Sequence, residues 1–132
     1  MTDMRTVDQL EGIVAGSRAD HTAAMGRLLA AERKHDRART AWGRERARKQ
    51  VLVLIEEVRL SEQVYRGACM DLALMRWDAA TRHVRELEAI ARNAVDKGKG
   101  PEAITKASEN RDAALALVTA AAAEVEQWKP VL

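Results

Sequence analysis

Along the first forty residues, seam positions recur at alternating steps of three and four: Val7, Leu10, Val14, Ser17, His21, Ala24, Leu28, Ala31, His35, Ala38 and Trp42. A step averaging 3.5 residues keeps them on one face of a helix, so the spacing predicts a long amphipathic helix with a seam of the coiled-coil kind. Ser17 and the two histidines dilute its apolar character. Thr6 followed by Gln9 reads as a capping box at its start, with Asp8 in the first turn, where the helix dipole favours an anion.

After Trp42 the apolar face slips by about one residue, to Ala47, Val51, Leu54 or Ile55, and Val58, with Gly43 at the slip. A turn at Thr40–Gly43 would fold the chain into a hairpin; a stutter would let one helix run on, slightly unwound. Arg44, Arg46, Arg48 and Lys49 would crowd the positive end of a new helix, at a few tenths to about 1 kcal/mol each. Packing of the apolar faces outweighs that, and a hairpin is expected.

A second helix carries two stripes in succession. One is Val51, Ile55, Val58, Tyr65, Cys69 and Leu72; the other is Met70, Ala73, Trp77, Ala80, Val84, Leu87, Ala91 and Ala94. They occupy different faces and exchange near Gly67, so each half of the helix should have its own neighbour. The run Val51–Ile55 resembles a buried strand in isolation, but it has no partner strand and Glu56–Glu57 follow it.

Lys97-Gly98-Lys99-Gly100-Pro101 is the strongest break, with glycine just past one helix and proline opening the next. The third helix has the seam Ile104, Ala107, Arg111, Ala114, Val118, Ala121, Val125 and Trp128. The predicted architecture is therefore all-α: one domain over 1–132, with helices at about 7–42, 46–97 and 101–128. They should form an elongated helical hairpin or three-helix antiparallel bundle. Leu28 should then lie near Val58, His21 near Tyr65, and Trp77 near Ala121 and Ala122.

Composition agrees with thin helices rather than a thick core: aromatics are 3% and charged residues 32% of the 132. No run approaches the roughly 20 apolar residues that span a bilayer. Asp3, Arg5 and Asp8 stand where a signal core would be, and the single cysteine, Cys69, suits a reducing compartment. A cytoplasmic protein, or one in an assembly formed in the cytoplasm, is expected.

Charge is uneven. Arg33, Lys34, Arg37, Arg39, Arg44, Arg46, Arg48 and Lys49 face only Asp36 and Glu45 within 33–49, a net of +6 in a chain of net +2. This segment is the candidate polyanion site, for nucleic acid, an acidic protein surface or anionic lipid. The plainer reading is a solvated charged end.

Other chemistry is sparse. Glu32-x-x-His35 matches one element of di-iron bundles, but no second copy accompanies it. His21 and His35 on one stripe suit a metal or a pH sensor, or simply a polar position that fixes register. Cys69 has no base at a telling spacing, and Gly12-x-x-x-Gly16 suggests close helix approach. No nucleophile or phosphate-loop motif is present, so no enzyme activity, cofactor, metal or small-molecule substrate is expected.

The leading expectation is a structural or adaptor subunit that pairs with itself or a protein partner. Its seam candidates are Leu10, Val14, Leu28, Trp42, Val58, Tyr65, Trp77, Val118, Val125 and Trp128. Nucleic-acid or other polyanion binding through 33–49 is the alternative. A small helical inhibitor or chaperone is a third.

Overall fold

The computed structural model describes residues 6–130; Asp3 and Arg5 lie outside them. The fold is all-α with three helices, α1 (Val7–Arg37), α2 (Ala41–Asp96) and α3 (Pro101–Trp128), and no strand among the described residues. Val51–Ile55 is helical. The chain divides into two compact units, Met1–Cys69 and Met70–Leu132, and α2 contributes to both.

In the first unit α1 and the first half of α2 form an antiparallel hairpin. Arg27 meets Glu57 at 3.7 Å, while His21, further from the turn, meets Ser61 at 3.0 Å and stacks parallel to Tyr65. The capping box at Thr6 is complete: the Gln9 amide donates to Thr6 Oγ1 and the Thr6 amide to Gln9 Oε1. From Val7 to Ala38 every seam position is buried or half-buried and every other residue is exposed.

The turn falls earlier than expected. α1 stops at Arg37, not residue 42, and α2 begins at Ala41, not 46. Thr40 explains this, because its hydroxyl accepts from the Gly43 amide at 3.0 Å and caps α2. Trp42 therefore leaves the α1 seam and stands in the first turn of α2, 73% exposed. Two of the crowded cations are compensated: Arg44 Nε donates to the Ala38 carbonyl, at the negative end of α1, at 3.2 Å, and Arg48 pairs with Glu45.

The α2 seam of this unit is Ala47, Val51, Leu54, Val58, Ser61, Tyr65 and Ala68, again at steps of four and three. Leu54 is 5% exposed and Ile55 46%, so Leu54 fills the place left shared after Trp42. Ile55 does not belong to the α2 stripe in which it was expected, because the rotation that turns Val51 and Val58 inward turns it outward. Gly12 and Gly16 are exposed, and a Cβ on either would meet nothing within 4 Å. The expected close approach there is absent among the described residues. The two stripes of α2 exchange over Ala68, Cys69, Leu72 and Ala73, all buried.

In the second unit the later half of α2 pairs antiparallel with α3, and Arg76 meets Glu124 at 3.3 Å. That register lies within two residues of the expected one. Gly98, at φ 64°, closes α2: the Gly98 amide donates to the Val95 carbonyl and the Lys99 amide to that of Ala94. Pro101 opens α3. Each α3 seam position is buried or half-buried. Arg111 is half-buried at its seam position, with its guanidinium 3.3 Å from the Asp112 carboxylate.

Candidate functional site

Heptad bookkeeping gives the first hairpin two distinct flanks. In an antiparallel pair, residues one position before a seam residue share one side of the hairpin, and residues one position after share the other. Arg27 (before Leu28) and Glu57 (before Val58) pair as this requires. On the same preceding flank lie Lys34, Arg37 and Arg46. On the following flank lie Met25, Leu29, Leu52 and Ile55, each about half exposed.

Near the turn the preceding flank is concave. Arg27, Lys34 and Arg46 rim a groove of about 760 Å³ whose floor includes Ala31, Ala47 and Leu54, with the Gln50 amide beside them. No carboxylate lines it. The small alanines leave the hollow and the long cations wall it. Arg46 also lies over the Trp42 ring, 5.4 Å from its centroid, so the exposed indole adjoins the groove through a shared cation.

All eight predicted basic residues are exposed at this end of the hairpin, but they do not form one patch. Lys34, Arg37 and Arg46 share the groove flank. Arg33 and Lys49 point away from the seam, and Arg39 and Arg44 stand at the turn. Arg48 is on the following flank and is engaged by Glu45 in a paired contact of 2.8 and 3.1 Å. The hydrogen bond and charge of Arg48 hold the Glu45 carboxyl below its ordinary range. Arg27 was missed by reading the charge run alone. It lies six residues upstream of Arg33; helix periodicity puts it on the flank of Lys34, and the hairpin brings Arg46 to both.

Of the predicted seam residues, Leu10 and Val125 are buried, and Val14, Leu28, Val58, Tyr65, Val118 and Trp128 half-buried; Trp42 and Trp77 are exposed. His21 acts within the hairpin. Ser61 Oγ donates to the Val58 carbonyl at 2.9 Å, so its oxygen accepts from His21 Nδ1–H. This favours the Nδ1-protonated tautomer and ties the register of two helices at a polar layer. A hydrogen bond with Cys69, then burial, pushes the Tyr65 hydroxyl above its usual pKa.

Glu32 and His35 border a shallow hollow with Asp36 and Arg48, where the nearest acid to His35 Nδ1 is Asp36 at 3.5 Å. No group of three His, Cys, Asp or Glu side chains converges as a metal site among the described residues. Cys69 is buried and unbridged. No described helix is long and apolar enough to cross a membrane.

The arrangement is that of an all-α protein of paired helices with an apolar flank and a basic groove. No protein family, curated protein or solved structure matches the chain.

Proposed function

We propose that this chain is a non-enzymatic structural or adaptor subunit that associates with itself or with a protein partner along helix flanks outside its own seams. The carrying observation is the following flank of the first hairpin, where Met25, Leu29, Leu52 and Ile55 present a half-exposed apolar surface on two antiparallel helices. The seams are already used in packing α1 on α2 and α2 on α3; this flank is surplus to that need. A cytoplasmic setting, or an assembly formed there, is part of the same proposal; a chain with a single cysteine suits a reducing compartment.

The strength of such association follows from area. Burying the remaining half of each side chain contributes about 1 kcal/mol. Four on each of two copies give about 8 kcal/mol, against a cost of association of roughly 4–15 kcal/mol. Self-pairing through this flank alone is therefore weak, about millimolar at its tightest, where the cost of association is at the low end.

Sedimentation velocity over a concentration series up to about millimolar tests the reading. The native chain should show rising mass with concentration, and Leu29→Glu with Ile55→Glu should remain monomeric with unchanged helical circular dichroism. A native chain that stays monomeric throughout rejects self-pairing. Mass that rises equally in the double variant removes the flank from the account.

A further inference from the structure

We propose that the basic groove and Trp42 together form a binding site for single-stranded nucleic acid. Such sites combine a positive groove that follows the phosphate backbone with an exposed aromatic face on which a base stacks. Both parts are present and contiguous. Arg27, Lys34 and Arg46 line a groove without a carboxylate, and Arg46 links it to an indole that is 73% exposed.

Arg27 and Lys34 are one heptad apart on α1, about 10 Å along the axis, while Arg46 faces them from α2. The cations thus line a track, with the stacking surface at one end. Arg37 and Arg39, exposed and without an ion-pair partner among the described residues, extend the positive field around the turn. Among the described residues Arg27 is the one groove cation in an ion pair, with Glu57 at 3.7 Å, a long pair between exposed groups that a phosphate can displace.

The indole selects the kind of strand. A duplex buries its base faces in its own stack and offers phosphates alone, so Trp42 would contribute nothing to it. A single strand offers both. Another polyanion, such as heparin, would use the cations and ignore the indole.

Fluorescence anisotropy with the full chain tests the assignment, using a labelled single strand of about twenty mixed-sequence nucleotides and the duplex of the same sequence. The single strand should bind more tightly than the duplex, quench tryptophan emission, and resist heparin better than the duplex does. Its affinity should fall with salt at a logarithmic slope of about −2 to −3.5, the value for three to five phosphate contacts. Trp42→Ala should weaken it about fivefold or more and abolish the part of the quenching due to that indole. Lys34→Glu with Arg46→Glu should remove binding, while Lys97→Glu with Lys99→Glu, an equal charge change in the α2–α3 loop, should leave most of it. Circular dichroism verifies that each variant keeps its helix content. Absence of binding at low salt, duplex binding as tight as single-strand binding, or an unchanged affinity in Trp42→Ala would each overturn the proposal.

Discussion

Leu54 and Ile55 are neighbours in a run of five apolar residues, and composition gives no reason to prefer one of them for the seam. The fold separates them by 100° of helix rotation, with one nearly fully buried and the other half open. Truncation should show the difference. Leu54→Ala is expected to cost about 2–4 kcal/mol, through lost burial and the cavity left behind. Ile55→Ala should cost less than about 1 kcal/mol. Urea unfolding of both variants, read as midpoints at constant slope, checks this; equal losses would mean that the seam register is wrong. The candidate site was half legible at this scale. The run from Arg33 to Lys49 announced the charge, but Arg27 and the removal of Arg48 by Glu45 depend on rotation about the helix and pairing across it.

At the scale of the element, helix ends were readable where a side chain or a special backbone enforces them. Thr6 and Gln9 form both bonds of the expected box, and Gly98 takes the left-handed conformation that closes α2. Gly98→Ala should destabilise by about 1–2 kcal/mol, the cost of placing a Cβ there. The α1 end was misplaced because the seam pattern continues formally to Trp42, whereas Thr40 competes as a cap and wins. Thr40→Ala should cost about 1 kcal/mol. Gly43→Ala alone should be near neutral: alanine gains about 1 kcal/mol of helix propensity, but its Cβ would sit 2.9 Å from Thr40 Oγ1 and disturb the cap. In the Thr40→Ala background the same change should become stabilising, and a double-mutant cycle by thermal unfolding measures that coupling.

For the whole molecule, the consequence is that seam side chains and surface side chains have separate duties. Sequence periodicity located the seams of α1 and α3 and favoured the pairing of α1 with α2, but it did not fix the rotation of α2 in that pair. Once they do, what remains for other molecules is a flank-by-flank surface, apolar on one side and basic on the other near the first turn. The two surfaces predict different responses to salt. Association through Met25, Leu29, Leu52 and Ile55 should hold or strengthen as salt rises. Any contact through Arg27, Lys34 and Arg46 should weaken. Repeating the sedimentation series at low and high salt distinguishes them, and a self-association that salt dissolves would move the interface to the basic flank.

The sequence by itself determined the all-α class, the number of helices, the seam positions of α1 and α3, and the break at Gly98–Pro101. These depend on short-range periodicity, capping and backbone restriction, which act within a few residues. Only the structure settled which of Leu54 and Ile55 is buried, where α1 ends, and that Arg27 joins Lys34 and Arg46 around one groove. The end of α1 depends on which of two local signals wins, the Thr40 cap or the continuing seam; the other two depend on the rotation and register of one helix against another.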